Sequence, residues 1–265
     1  MPSVELGAVR VGEFRCDPDD PMWSGVNWIG PEPHVVFPRV PVRIRQVGAD
    51  EFVTTRNHVV LYAAGDEYRR RRIGDAGDSC YFLALSGELA EQLGSPQTAR
   101  GLADVPPDLF LRHRQFVARL RTGRCDPLEM EERAIDLASS ALAARRENTR
   151  PSPAPSPHLL TLAERAKELL AVEYAGGHRL GDLAAILGIS PYHLARSFRT
   201  ATGWSLHGYR TSLRLRAVMD VLVDPSADLA ALARETGFAN HSHLTTAFHR
   251  QFGLTPSAAR AVLAA

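Results

Sequence analysis

The chain has 265 residues, 45% of them hydrophobic, and a net charge of +1, which is enough material for two domains with their own cores. It contains no run of about 18 apolar residues, which excludes a membrane-spanning helix, and its first ten residues lack the apolar stretch of a secretion signal. Cys16, Cys80 and Cys125 are too far apart in sequence for a zinc spacing or a disulfide framework and fit reduced thiols in a cytoplasm.

Residues 35–85 read as short strands. Val40, Val42 and Ile44 alternate with Pro41, Arg43 and Arg45, the period of a half-buried strand. Residues 58–62 and 80–85 are two further strands, and glycine-aspartate clusters at 48–50, 64–66 and 74–78 separate them as turns. Short strands at regular spacing predict a sandwich or jelly-roll barrel that can enclose a small ligand. The run Tyr68-Arg69-Arg70-Arg71-Arg72 fits a solvated edge that discourages strand pairing. Alternatively, because alternate arginines in a strand point in opposite directions, two of them, Arg69 and Arg71, face a cavity and grip an anionic effector, with Tyr68 as a further candidate contact. Cys80, at the start of a buried strand, reads as core and not as a redox sensor.

Two helices follow, over residues 108–121 and 126–145. Their apolar stripes (Leu109, Phe116, Val117 and Leu120; Leu128, Ala134, Ile135, Ala138 and Leu142) suit packing on their own domain or a dimer interface. Alternate prolines at 151, 153, 155 and 157 then hold an extended segment. The chain therefore divides into an N-terminal domain at 1–148, a linker at 149–157 and a C-terminal domain at 158–265.

The last third is helical and contains one motif twice. Leu183-Ala184, Gly188, Leu194, Phe198 and Gly203 recur as Leu232-Ala233, Gly237, Leu244, Phe248 and Gly253. The offset is 49 residues up to the turn and 50 after it, so the second turn carries one extra residue. Thr161 with Glu164 fits a capping box for a first helix. Ser190-Pro191 and Asn240 fit helix starts, and Gly203 and Gly253 fit helix ends. A helix spanning 205–223 joins the copies. A short helix, a glycine turn and a second helix is a helix-turn-helix pattern, whose second helix can enter the DNA major groove. From residue 158 onwards there are eleven Lys/Arg against eight Asp/Glu, a local excess of +3, and seven of the ten histidines.

Gly237-Phe238, Asn240, Ser242, Leu244, Phe248, Gly253 and Thr255-Pro256 in the second copy resemble the signature of the AraC/XylS family of bacterial transcription regulators. Ser190, Leu194, Arg196, Phe198, Gly203 and Arg214 match it in and after the first copy. The resemblance covers residues 159–262. It implies an α+β chain with an N-terminal cupin-like β-barrel carrying dimerisation helices and a C-terminal all-α domain with two helix-turn-helix units. By the same resemblance Tyr192, Ala195 and Arg196, and His241, Ser242, Thr245 and Thr246, face bases. His193 lies on the same outer face. Arg199 and Arg250 fit phosphate contacts, which position without selecting sequence. Two positions depart from the family: Thr246 stands where arginine is common, and Ala259 stands where tyrosine precedes Arg260.

The expected function is sequence-specific, effector-responsive transcription regulation by a homodimer in a bacterial cytoplasm. The expected partners are double-stranded DNA, a small-molecule effector and RNA polymerase, with no membrane. The readers would sit about 34 Å apart, one turn of duplex, and favour bent DNA. The alternatives are a constitutive DNA-bending protein and a barrel enzyme tethered to DNA. His241, His243 and His249 do not share a helix face as a metal site would need, and neither His34 nor His58 belongs to the metal-binding cupin pattern. No Ser/His/Asp, paired-carboxylate or phosphate-loop spacing stands out, so no catalytic residue, metal or cofactor is expected.

Overall fold

A computed structural model describes residues 3–94, 100–123, 126–148 and 155–264. The chain separates into two compact units, residues 1–150 with 261–265 and residues 151–260.

The first unit contains β1 (Val4–Leu6), β2 (Val9–Cys16), β3 (Asn27–Trp28), β4 (His34–Pro38), β5 (Val42–Gln46), β6 (Phe52–Thr54), β7 (His58–Tyr62), β8 (Glu67–Arg72), β9 (Asp78–Leu85) and β10 (Gly101–Asp104). They form a six-stranded sheet, β1-β2-β9-β4-β7-β10, and a four-stranded sheet, β3-β8-β5-β6. Every pairing is antiparallel. Among the described residues no strand pairing joins the sheets, so the first unit is an open double sheet and not the closed barrel that the resemblance implies. Val42, Ile44, Val60 and Tyr62 are buried together, with contributions from both sheets.

Three helices accompany the sheets: α1 (Gly87–Gln92), α2 (Pro107–Thr122) and α3 (Pro127–Asn148). The apolar stripes of α2 and α3 are largely used within this unit. Leu109, Phe116 and Val117 are each 1% exposed, and Ala134, Ala138 and Leu142 are buried. Ile135 is only part-buried and Leu128 is exposed. His113 of α2 stacks on Phe37 of β4 at 4.0 Å between ring centroids, and Glu131 of α3 accepts the Ala8 backbone N–H at 3.0 Å. Cys80 is buried, and burial pushes its thiol well above the ordinary range, as a core cysteine requires.

The second unit is all-helical: α4 (Pro157–Val172), α5 (Leu180–Leu187), α6 (Pro191–Thr202), α7 (Leu206–Val221), α8 (Leu229–Glu235), α9 (His241–Phe252) and the part of α10 (Pro256–Ala264) up to Arg260. α4 starts one turn earlier than the Thr161–Glu164 capping box predicts. Ser156 is the N-cap, its hydroxyl accepting from Leu159 N–H at 3.4 Å, and Pro157 takes the first helical position. Thr161 lies inside the helix and its hydroxyl donates back to the Pro157 carbonyl at 3.0 Å. A serine followed by proline satisfies one orphan N–H and removes another, so it outcompetes the downstream threonine. Pro157 is therefore helical, and linker residues 149–154 lie outside the described residues.

Candidate nucleic-acid interface and ligand cavity

Each helix-turn-helix is shaped by local capping. α5 closes at Gly188, left-handed at φ +72°, with Gly188 N–H on Ala185 O at 3.1 Å and Ile189 N–H on Ala184 O at 3.0 Å. α6 opens with Ser190 accepting from His193 N–H at 3.2 Å and closes at Gly203, φ +76°. The second copy repeats this grammar. Asp228 caps α8 through the Ala230 and Ala231 N–H groups at 2.9 and 3.3 Å. Gly237 turns at φ +80°, and Phe238 N–H reaches Ala233 O at 2.8 Å. Asn240 caps α9 through His243 N–H at 2.8 Å. The extra residue of the second copy is Ala239: three residues from Gly188 to Ser190 become four from Gly237 to Asn240. Asn240→Ala should lower stability by about 1 kcal/mol, read as a shift in denaturant midpoint at unchanged slope.

The inner faces are set by Leu194 and Phe198, and by Leu244 and Phe248, all 0% exposed. Residues four apart share a helix face, so the opposite face of each helix is turned outward. On α6, Tyr192 is 72% exposed, and His193, Arg196 and Arg199 are exposed, while Ala195 is half-buried. The Arg196 guanidinium donates to the Tyr192 hydroxyl at 3.2 Å, which pre-positions it along the first two turns. On α9, His241, Ser242, Thr246, His249 and Arg250 are exposed. Thr245 is only partly exposed, and its hydroxyl is shielded from solvent.

Several residues that sequence reasoning passed over belong to this surface. A groove of about 390 Å³ opens beside Ala195, with His178, Arg179, His207 and Arg210 on its walls. His207 sits at the start of α7. Partial burial first, and then Arg210, Arg214, Arg250 and His243, hold its imidazole below the ordinary range. The three arginines of that set put positive charge on the unit that carries both outward helices.

The arginines after the outward helices have a different task. Arg210 donates to the His178 carbonyl at 2.7 Å, ahead of α5. Arg260 donates to the Pro225 and Ala227 carbonyls at 3.2 and 2.5 Å, ahead of α8. Each ties the segment after its outward helix back to the entrance of its own helix-turn-helix. Ala259 fills the departure from tyrosine without leaving a gap to solvent: it is 0% exposed, as is Tyr209 in the first copy. Tyr209 meets Phe198 edge-on at 5.6 Å, a ring contact that Ala259 cannot make.

Arg214 on α7 joins the two copies. Its Nε donates to Tyr174 O at 2.6 Å, Nη2 to Gly176 O at 2.8 Å and Nη1 to Gly237 O at 2.8 Å. One side chain thus links the loop after α4 to the turn of the second helix-turn-helix.

In the first unit a cavity of about 170 Å³ lies between the sheets, lined by residues of both, among them Phe14, His34, Ile44, Tyr62, Tyr68 and Phe82. The arginine run is β8, and its inward positions are Tyr68 and Arg70. Arg69 and Arg71 are exposed, and Arg71 holds Glu51 with Nε–Oε1 at 3.0 Å and Nη2–Oε1 at 2.7 Å. The expected effector contacts Arg69 and Arg71 therefore do not reach the cavity, whereas Tyr68 lines it. Four arginines in a row carry no polar/apolar alternation, but Tyr68 marks the inner face, and the residue two further on is Arg70. Burial raises the Tyr68 phenol to about 12 and lowers His34, so both are neutral near pH 7. Among the described residues no group of three His, Cys, Asp or Glu side chains could hold a metal ion.

The helix-turn-helix domain family matches residues 183–261, spanning both copies. The Msm operon regulatory protein of Streptococcus mutans is 27% identical over 93 residues, 35% of this chain and 34% of that protein. The HTH-type transcriptional regulator RipA of Corynebacterium glutamicum is 33% identical over 112 residues, 42% and 32% of the two chains. The chain spans about a third of the length of the curated relatives it matches. Among solved structures, ToxT from Vibrio cholerae aligns over 97% of this chain and all of its own with a TM-score of 0.39 and 11% identity.

Proposed function

We propose that the whole chain, whose residues 183–261 match a helix-turn-helix domain family, is a sequence-specific DNA-binding transcription regulator of the AraC/XylS kind whose N-terminal unit answers a small effector. The observation that carries this reading is the pair of capped helices, α6 and α9, with buried inner faces and polar outer faces, held on one frame by α7 and Arg214. α7, at 16 residues, is a rod of about 24 Å and sets a fixed spacing between the readers. Two readers on a rigid spacer suit successive major-groove segments on one side of a duplex, with bending where straight DNA does not match.

Tyr192, His193, Ala195 and Arg196 read one segment, and His241, Ser242, Thr245 and Thr246 the other. Arg199 and Arg250 bind phosphate. The cavity between the sheets holds the effector, and binding acts by favouring one arrangement of the chain over another. In this reading the regulator is a homodimer in a bacterial cytoplasm, contacts RNA polymerase and performs no catalysis.

Selection of bound sequences from random duplex DNA by the full chain tests the reading. The expected result is a motif of two segments separated by about one helical turn. Retention of all sequences alike would make it an architectural protein, and turnover of a cavity ligand would make it an enzyme. On the selected site, Arg196→Ala should cost about 1–3 kcal/mol of affinity, since a bidentate arginine–guanine pair is lost. Thr246→Ala should cost less, because a short hydroxyl makes at most a single neutral contact. A larger loss from Thr246→Ala in a direct binding titration would reverse the ranking of the two readers.

A further inference from the structure

We propose that the cavity between the sheets takes an uncharged molecule of about one ring that carries a hydroxyl, held by hydrogen bonds to the hydroxyl of Tyr62 and to that of Tyr68 beside it. This rests on reading the first unit as the effector domain and adds the chemical class of the effector.

Tyr62 on β7 and Tyr68 on β8 come from different sheets, and both line the cavity. Their rings lie 5.0 Å apart and tilt by 50°. Tyr62 is 4% exposed and Tyr68 is half-buried. Among the described residues neither hydroxyl has a hydrogen-bond partner: only burial and neighbouring ionisable groups act on the two phenols. The Tyr62 hydroxyl is not sealed in packed protein as the Gln46 amide oxygen is. The open space that a side chain so buried meets is the cavity that it lines. A buried hydroxyl without a partner costs free energy, and a ligand that pairs with it recovers that cost.

The charge of the lining selects against ions. Among the described residues none that lines the cavity is an arginine or a lysine. His34 donates from Nδ1 to the Glu32 carbonyl at 2.8 Å, and burial holds the ring neutral, so its Nε2 offers only a lone pair. A carboxylate would enter with no cation in the lining to meet it. Asp78 is the acidic residue of the lining, and Arg70 Nη1 already holds it at 2.9 Å, so a ligand cation would meet a neutralised pair. His34 Nε2 only accepts, whereas the tyrosine hydroxyls also donate. A ligand hydroxyl suits both, with one proton to give and lone pairs to receive.

The rest of the cavity sets the body. Val36, Val42, Ile44, Val60 and Phe82 give it apolar walls, and its volume is about 170 Å³. A cavity of about 150 Å³ lined by apolar side chains accommodates benzene. Met22 and Trp28 also line it and are 43% and 65% exposed, so they mark its mouth with an apolar rim.

Benzyl alcohol, toluene, benzoate and benzylammonium share a ring and differ in the head group. Each is titrated calorimetrically at pH 7 into the full chain. Benzyl alcohol should bind at least about 10-fold more tightly than either ion, and more tightly than toluene. Tyr62→Phe/Tyr68→Phe should weaken benzyl alcohol about 2–10-fold and leave toluene unchanged. The protein makes no hydrogen bond of its own through these hydroxyls, so the double variant should keep the fold, which circular dichroism verifies. Val36→Phe, which narrows the cavity, should abolish binding of the alcohol. Either ion binding as tightly as the alcohol, an alcohol affinity unchanged in the tyrosine double variant or in Val36→Phe, or binding of no probe overturns the proposal. If an ion binds best and Val36→Phe abolishes its binding, the effector-domain reading stands and only the uncharged class falls.

Discussion

Gly237→Ala should destabilise the second unit by about 2–4 kcal/mol, the combined cost of a left-handed residue with a side chain and a steric clash. Gly237 has φ +80°, and a Cβ there would lie 2.3 Å from the Ala175 carbonyl oxygen and 2.8 Å from Arg214 Nη2. The first is backbone and cannot step aside, so the turn of the second helix-turn-helix or the loop after α4 must move. A domain of this size loses roughly 4–8 °C per kcal/mol, so the melting point of the unit should fall by roughly 10–30 °C. Gly188, the matching turn glycine, has φ +72° and nothing within 4 Å of a Cβ. Gly188→Ala should cost about 1–2 kcal/mol from backbone strain alone. Equal melting points for the two variants would show that the close approach at Gly237 carries no energy.

The second large effect is expected at Arg214. Arg214→Met keeps most of the aliphatic stem and removes the guanidinium. It leaves the Tyr174, Gly176 and Gly237 carbonyls without their strongest donor. A hydrogen bond from a charged group contributes about 1.5–3 kcal/mol, and unmet polar groups add to the loss, so about 3 kcal/mol is expected for the set. The burial that presses the Arg214 pKa downward shows that the group gives up solvation to hold this position. Binding should change as well. Affinity for a two-segment site should fall more than affinity for either segment alone, because the side chain ties the second reader's turn to the frame of the first. Unchanged two-segment affinity, with a normal melting curve, would show that α7 fixes the spacing without it.

The second unit was far more legible in the sequence than the first, and the reason is the range of the interactions. Ser190, Asn240, Gly203 and Gly253 act on backbone groups within a turn of themselves, so their meaning is local. α6 and α9 therefore lie where those residues place them. At α4 two local signals compete, and Ser156-Pro157, which repeats the Ser190-Pro191 pattern at the start of α6, prevails over Thr161. In the first unit β1, β2 and β10 gave no clear period. Gly12 and Gly101 interrupt two of them, and both outer strands owe their place to distant partners. The inward position of β8 was hidden in the same way, since its face is fixed by pairing with β3 and β5. The DNA-facing residues could be proposed from the motif, but the carbonyl ties of Arg210, Arg214 and Arg260 bridge 23 to 40 residues and appear only in three dimensions.

The unequal crowding at the two turn glycines also bears on how such a chain can be rebuilt. A side chain added at Gly188 would meet nothing within 4 Å, so that turn sets no steric condition at this position on the helix α6 that follows it. The turn at Gly237 is keyed to Ala175 and Arg214, which lie in other parts of the unit. A transplanted second reader must therefore travel with a compatible socket, and the two halves, alike as they look in sequence, are not modular in the same way.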